Sequence, residues 1–153
     1  MLAVFNRDTA PMPSANLELV RSISAAWERG DYGSTKWAHS DIEFASVGGP
    51  SAVSRIGPAG MAERWSEFLS AWEYYRPEVS EYREIDDARV LVLVQLRARG
   101  KTSGVDVRTK GAHLFHVRSG KITTIVFYWD RERAFADLGL SPEGDAGDAG
   151  TEG

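Results

Sequence analysis

Residues 111–130 form the stretch GAHLFHVRSGKITTIVFYWD, which decides the fold because it has the pattern of two β-strands joined by a tight turn. Ser119-Gly120 marks the turn, since glycine tolerates the positive φ angle that a two-residue hairpin loop requires. β-Branched and aromatic residues dominate both flanking segments, and no proline interrupts them. Both faces of the hairpin are apolar. We therefore expect one face to cover a core or pocket, and helices or a partner subunit to cover the other.

Strict alternation on either side of this turn predicts which side chains share a face. One face is predicted to carry Ala112, Leu114, His116, Thr123, Ile125, Phe127 and Trp129. The opposite face is predicted to carry His113, Phe115, Val117, Ile122, Val126 and Tyr128.

The composition is that of one domain with a sizeable core. The chain has 153 residues, of which 42% are apolar and 10% aromatic. Its five tryptophans are expected either to pack in the core or to line a hydrophobic ligand cavity, where an indole N–H can donate a hydrogen bond. The absence of cysteine excludes disulfides and thiolate chemistry and fits a cytoplasmic location.

The charge of the chain gives no indication of a nucleic-acid or membrane partner. The formal net charge is −4, and the acidic residues after position 142 account for all of it, so residues 1–142 sum to zero. No apolar run approaches the ~20 residues of a membrane-spanning helix. We expect a flexible leader over residues 1–15, one domain over 16–140 and a disordered acidic tail over 141–153.

Hydrophobic periodicity and end signals predict an α+β order of elements. A helix over 16–29 with Asn16 as its N-cap and a short helical piece over 32–39 precede a strand over 41–46. A loop over 48–57, either a lid or a plain connector, leads to a second long helix over 58–75. Extended segments over 78–85, 89–99 and 105–117 follow, and a last helix over 131–138 ends at Gly139.

Five segments carry a family resemblance: residues 16–31 ending in WERGD, DIEFASVGGP at 41–50, the helix beginning at Gly57, RVLVLVQLRARG at 89–100 and HLFHVRSGKITTIVFYWDRERAFADLGL at 113–140. In this order they resemble the SnoaL-like members of the nuclear transport factor 2-like superfamily. The resemblance implies a cone-shaped, strongly curved and mostly antiparallel sheet, wrapped around a pocket that N-terminal helices close. That superfamily includes ketosteroid isomerases, polyketide cyclases, epoxide hydrolases, dehydratases and binding modules, so the resemblance implies a pocket and leaves the reaction open.

The implied fold predicts which residues meet a ligand and which meet a partner subunit. The pocket residues are predicted to be Trp37, Phe44, Trp65, Phe68, Trp72, Leu114, Ile125, Phe127 and Trp129. A homodimer is predicted to form through an outer sheet face that carries His113, Phe115, Val126 and Tyr128. An ungapped comparison places the general base of ketosteroid isomerase at Ala45, its oxyanion-hole tyrosine at Ile23 and its oxyanion-hole aspartate at Ala112. None of the three is kept, which excludes steroid double-bond isomerisation.

Two residues are candidates for catalysis. His116 is predicted to face the pocket, where a neutral imidazole can act as base, acid or donor, although it can equally be a sheet histidine bonded to a neighbour. Asp130 is either a carboxylate at the pocket mouth or the N-cap of the helix that follows it. His113 and His116 point to opposite faces of a strand, so they make no metal site with His39. We expect neither a metal nor a cofactor.

Two hypotheses of function follow. In the first, the chain is a small cofactor-independent enzyme of the isomerase, cyclase, hydrolase or dehydratase type, and it acts on a small hydrophobic cyclic or polyketide-like molecule. In the second, a dimeric binding protein holds such a molecule without changing it. Titratable groups in the cavity would favour the enzyme, and purely apolar walls would favour the binding protein.

Overall fold

The fold is α+β, as predicted. The computed structural model describes residues 14–32, 34–47 and 55–140. Its elements are α1 (Ala15–Glu28), β1 (Ala38–Val47), β2 (Arg55–Ile56), α2 (Gly57–Ser70), β3 (Trp72–Asp86), β4 (Arg89–Gly100), β5 (Asp106–Arg118), β6 (Lys121–Tyr128) and α3 (Arg131–Leu138). The strands form one sheet in the order β2-β1-β6-β5-β4-β3. Only β1 and β6 pair in parallel among these strands, and the other neighbours are antiparallel.

The sheet curves around the first two helices. β1 and β3 are four strand positions apart, about 19 Å in a flat sheet, yet α2 contacts both of them. A helix is only ~10 Å wide, so the sheet must bend to bring both strands against it. Interruptions of the ladder in three of the strand pairs accompany this bend.

Each face of the sheet carries an apolar core. We call the face under α1 and α2 the inner face; its core includes Trp27 of α1 and Trp65 of α2. We call the face under α3 the outer face; there Phe135 of α3 packs in one cluster with Leu91 and Leu93 of β4. Both faces of the hairpin are apolar because helices of the same chain cover each of them.

The hairpin turn lies where the sequence predicts it, but the pairing beyond it contains a bulge. Ser119 and Gly120 have φ angles of 52° and 76°, as a type I′ turn requires. Val117 pairs with Ile122, whereas His116 pairs with Thr124, so Thr123 is an extra residue in β6. A shift of one residue moves every side chain beyond it to the other face of the strand.

Strict alternation therefore places most side chains of β5 on the wrong face of the sheet relative to the side chains of β6. His113 and Phe115 lie on the inner face with Ile125 and Phe127. Ala112 and Leu114 lie in the outer core, and His116 shares their face. Ile122 was predicted to lie on the other face of the strand from Ile125, but both are buried in the inner core.

Three predicted helix boundaries are also wrong. The N-cap of α1 is Ser14, whose hydroxyl accepts from the Leu17 N–H, while the Asn16 side chain donates to the Asp87 carbonyl at 2.7 Å. Residues 34–37 are not helical, and β1 begins at Ala38. α2 ends at Ser70 instead of residue 75, and Trp72 begins β3.

The C-terminal elements agree with the sequence. Asp130 caps the N-terminus of α3, and Gly139 ends it with φ of 68°.

Pro77 lies within β3, which tolerates a proline because it is an edge strand of this sheet. Residues 1–13 of the leader predicted over 1–15, residues 48–54 of the loop predicted over 48–57, and the whole tail predicted over 141–153 lie outside the described residues. Ala15 is the first residue of α1, and residues 55–57 belong to β2 and α2.

Candidate functional site

An aromatic cavity lies between α2 and the inner face of the sheet. Its lining residues are Phe44, Ser46, Trp65, Phe68, Tyr75, Phe127 and Trp129. The space between and in front of these side chains is about 260 Å³, of which about 20 Å³ can hold the centre of a water molecule. That smaller volume suffices for about one water, so a larger ligand has to displace some of the rings.

Sheet register and helix spacing bring these side chains together. The parallel pairing of β1 with β6 sets Ser46 opposite Phe127, and Phe44 lies two residues before Ser46 on the same face. Trp65 and Phe68 are three residues apart on α2, so both side chains lie on one side of that helix.

Four half-buried rings form the mouth of the cavity, and three buried rings form its floor. At the mouth, Phe68 lies 4.8 Å from Tyr75 and 6.0 Å from Trp129 between ring centroids, and Trp72 is 6.0 Å from Trp129. The floor consists of Phe44, Trp65 and Phe127, each at most 7% exposed. The rings with the most freedom to move are therefore those at the entrance.

Polar groups among the rings offer hydrogen-bond donors. The Trp65 Nε1 and the Tyr32 hydroxyl are buried and have no partner among the described residues, and the two rings lie tilted against each other with 4.7 Å between their centroids. Burial raises the pKa of Tyr32 far above its ordinary value. It does the same for the pKa of Tyr75, to which the nearby Tyr32 contributes electrostatically. Both phenols therefore remain protonated and able to donate to a ligand oxygen.

The described lining of the cavity is uncharged. None of its seven described lining residues is a carboxylate or a base. His113 packs against the outside of its floor, with its ring centroid 4.5 Å from that of Phe127. Burial lowers the pKa of His113 to about 3, so the imidazole is neutral. Within residues 14–32, 34–47 and 55–140, no group of three or more His, Cys, Asp or Glu is placed to hold a metal ion.

Most of the residues predicted to bind a ligand lie at or near this cavity. Phe44, Trp65, Phe68, Phe127 and Trp129 line it, and Trp72 joins Phe68 and Trp129 at the mouth. Ile125 is fully buried in the inner core. Trp37 is half-buried and packs edge-on against Trp27 at 6.1 Å. Leu114 was predicted on the wrong face, since it lies in the outer core beneath α3.

The two predicted catalytic residues lie elsewhere. His116 is on the outer face opposite Arg89 and Thr124, away from the cavity, because the Thr123 bulge reverses its direction. Burial lowers the pKa of His116, and the Arg89 charge lowers it further. The Asp130 carboxylate accepts from the Glu132 N–H at 3.0 Å, which is the capping role that the sequence offered as an alternative.

The predicted dimer surface is split between the two faces. His113 and Phe115 are 2% and 0% exposed on the inner face and cannot meet a partner. Val126 and Tyr128 are on the outer face, but they pack in the cluster that α3 covers, and the Tyr128 O–H donates to Asp137 of α3 at 3.2 Å. Ala112 also lies on the outer face. The ungapped comparison with ketosteroid isomerase therefore matches the oxyanion-hole aspartate to a residue that does not face the cavity.

Sequence reasoning missed several residues of the site. The sequence allows Tyr75 to reach a cavity from the helix predicted over 58–75, whereas in the structure it lines the cavity from β3. Ser46 follows from the alternation in β1 once Phe44 is placed inward. Tyr32 and His113 carried no local signal, since a loop and a bulge position them.

The described helices include none that is long and apolar enough to cross a membrane.

Solved structures similar to this chain share its fold. TerC, co-crystallised with polyporic acid, has 23% identity and a TM-score of 0.66, over 82% of this chain and 98% of that chain. A nuclear transport factor 2-like protein of unknown function from Burkholderia pseudomallei has 19% identity and a TM-score of 0.69, over 81% and 97%. A hypothetical protein from Catenulispora acidiphila with a ketosteroid isomerase-like fold, in complex with trimethylamine, has 16% identity and a TM-score of 0.62, over 81% and 94%.

The sequence itself identifies the family. No curated protein matches it. The model of the SnoaL-like domain, however, matches residues 20–125, which span the chain from α1 to the middle of β6. The chain therefore belongs to the SnoaL-like domain family.

Proposed function

We propose that this chain binds a small hydrophobic cyclic or polyketide-like molecule that carries a carbonyl or hydroxyl oxygen. The observation that carries the proposal is the cavity of tilted and edge-on rings beside two partnerless donors, the Trp65 N–H and the Tyr32 O–H. Aromatic walls favour a flat apolar ring system through burial and ring contacts. A ligand oxygen at this position gives the buried donors the hydrogen-bond partner that they lack. Ligands with an oxygen there should therefore bind more tightly than ligands without one.

The same arrangement supports a small cofactor-independent enzyme of the isomerase, cyclase, hydrolase or dehydratase type. In such reactions negative charge develops on a carbonyl oxygen when a proton leaves the neighbouring carbon. Neutral donors held in an apolar site stabilise that charge without having to reorganise, and the raised pKa of Tyr32 keeps its proton in place. The cysteine-free sequence is compatible with the reducing cytoplasm, where we propose that the protein acts.

Ligands seen with relatives support a small-molecule site. TerC was co-crystallised with polyporic acid, and the Catenulispora acidiphila protein was solved with trimethylamine. Both proteins share the fold of this chain, so the fold accommodates organic molecules of different size and polarity.

A non-catalytic dimeric binding protein is the second candidate. It is favoured by the neutral lining, since no described side chain of the cavity can take up a proton near neutral pH. A homodimer of this chain would use the part of the outer face that α3 leaves open, where the second half of β4 and the first half of β5 are exposed at alternate positions.

The test is a screen of hydrophobic cyclic metabolites by tryptophan fluorescence and mass spectrometry. Trp65 and Trp129 line the cavity and should report its occupation. Quenching with a changed ligand mass supports the enzyme, and quenching with the ligand recovered intact supports the binding protein. Compounds that quench wild type should bind Trp65→Phe about tenfold more weakly when they carry oxygen, because the ring remains and one donor is lost. Equal affinity of both proteins for every such compound would contradict the proposed role of the indole.

A further inference from the structure

Two buried polar side chains line the same narrow void, behind the floor of the aromatic cavity. Ser24 of α1 and His113 of β5 are each 2% exposed. Both nitrogens of His113 have no hydrogen-bond partner in the part of the chain that the structure describes, while the Ser24 hydroxyl lies close enough to the Tyr82 hydroxyl to lower the pKa of Tyr82. Both residues line one narrow void together with Trp27, Glu28, Pro77, Val79 and Val94; its volume of about 160 Å³ includes space open to solvent, and the side chains leave no room in it for a water molecule.

One aromatic ring separates this void from the cavity. Phe127 lines the cavity and meets His113 edge-on, with 4.5 Å between ring centroids. Trp27, which lines the void, is 5.6 Å from Phe127 and 5.4 Å from Trp65. Phe127 is therefore the ring of the cavity that lies directly against His113.

Buried polar groups without partners lower the stability of the fold. Their presence in the core therefore indicates a role other than stability. A buried donor or acceptor without a partner costs a folded protein more than an apolar side chain of the same shape. A neutral imidazole presents one donor and one acceptor, and a serine hydroxyl presents both as well. Together they are complementary to a group that donates and accepts at once, which a hydroxyl does. An anion is disfavoured, because the one charged described residue of the void is Glu28.

We propose that Ser24 and His113 form a polar subsite that receives a phenol or enol hydroxyl of the ligand when Phe127 turns aside. The ligand O–H donates to the unprotonated imidazole nitrogen, and its oxygen accepts from the serine hydroxyl. This inference rests on the proposed function and narrows its ligand class to hydroxylated aromatic rings and enolised cyclic ketones. His113 then determines specificity, and the aromatic cavity provides most of the binding area.

The test compares two probes that differ in one group: 4-ethylphenol and 4-ethyltoluene, in which a methyl group replaces the hydroxyl. Calorimetry with wild type should give about tenfold tighter binding of 4-ethylphenol, the ratio expected for one ordinary hydrogen bond. His113→Leu should lose most of this preference and keep its affinity for 4-ethyltoluene. His113→Gln restores a donor and an acceptor and should recover part of the preference. His39→Leu is the matched control and should behave as wild type, since His39 lies on β1 and lines neither the cavity nor the void.

The outcomes separate this inference from the proposed function. A preference for 4-ethylphenol that is equal in wild type and His113→Leu overturns the subsite and leaves the aromatic cavity standing. Failure of both probes to bind wild type contradicts the proposed function as well as the subsite. If His113→Leu does not fold, the imidazole ¹⁵N shifts of His113 in wild type decide: they should change with 4-ethylphenol and not with 4-ethyltoluene, and unchanged shifts overturn the subsite.

Discussion

His113 shows how one residue can set a property of the whole protein. Burial among Trp27, Phe115 and Phe127 keeps its imidazole neutral and leaves both nitrogens without a described partner. The neutral form is what a hydroxyl ligand needs, since the imidazole must offer a free lone pair. The same burial makes the folded state unable to take up a proton that the unfolded chain binds readily.

Stability should therefore depend on pH through His113. Its pKa is about 3 in the folded protein against an ordinary value of 6.5, so between these pH values the unfolded state binds more protons. The free energy of unfolding should fall as the pH is lowered from 6.5 towards 3, by up to ~1.4 kcal/mol per pH unit from this group. His113→Leu should remove that contribution. Urea unfolding at pH 7, 5 and 4 measures it, and equal slopes in the two proteins would contradict the assigned burial.

At the scale of elements, the sequence predicts strands and turns better than it predicts their register. The Ser119-Gly120 turn follows from local conformational preference and is found as predicted. The bulge at Thr123 has no comparable signature, since Thr123 and Thr124 are equally good strand residues. The inward direction of His113 and the outward direction of Leu114 and His116 depend on that bulge, so the candidate site was misplaced where the strands themselves were correct.

The helix α2 was extended too far for a related reason. Phe68, Trp72 and Tyr75 have the spacing of an apolar helix stripe, and they do meet in space. The chain nevertheless leaves the helix after Ser70, and pairing of β3 with β4 brings Trp72 and Tyr75 back to Phe68 from the sheet. Here strand pairing in the folded protein overrides the helical spacing of the apolar residues. That spacing alone cannot show where the helix ends.

The bulge gives a prediction about deletions in β6. Without Thr123, the pair His116–Thr124 comes directly after the pair Val117–Ile122. Every later side chain of β6 then keeps its present face. We expect this variant to fold, with a loss of about 1–3 kcal/mol from altered curvature. Removing Val126 instead exchanges the faces of Phe127 and Tyr128, and this control should not fold. Thermal unfolding and two-dimensional NMR test both, and an unfolded Thr123 deletion would contradict the pairing described.

A row of like charges crosses the outer face. Arg76 lies opposite Arg97, and Arg97 lies opposite Arg108, on the three adjacent strands β3, β4 and β5. Arg97 forms no ion pair with a described residue, whereas Arg99 lies 3.6 Å from Glu73 and 3.4 Å from Asp106. Like charges directly opposite one another in a sheet are destabilising.

Neutralising the central arginine should therefore stabilise the protein. We expect Arg97→Gln to raise the free energy of unfolding by about 0.5 kcal/mol at low salt, and the gain should shrink in 0.5 M NaCl as the repulsion is screened. Arg99→Gln is the matched control and should give no gain, because it loses its two carboxylate neighbours. Urea unfolding at both salt concentrations measures the difference. A loss of stability in Arg97→Gln would show that the row is balanced by contacts outside the described residues.

At the scale of the whole molecule, the sequence predicts the architecture and the aromatic nature of the site. Five aromatic residues predicted to bind a ligand line one cavity, because the inner positions of β1 and β6 and one side of α2 could be identified from periodicity. Of the donors, the Trp65 indole was predicted, whereas the positions of the two phenols could not be. Tyr32 comes from the loop after α1 and Tyr75 from the far edge of the sheet, and only the curvature of the sheet brings them to the same place.

The central claim is that the aromatic cavity is the ligand site, and filling it tests the claim most directly. Ser46 lines the cavity, and its neighbour Ala45 points to the outer face of the same strand. The measurement is the affinity of a ligand from the fluorescence screen for Ser46→Ile and Ala45→Ile, with folding verified for each. We predict that Ser46→Ile binds at least tenfold more weakly than wild type while Ala45→Ile binds as wild type does. Unchanged affinity in a folded Ser46→Ile protein would place the ligand elsewhere and contradict this account.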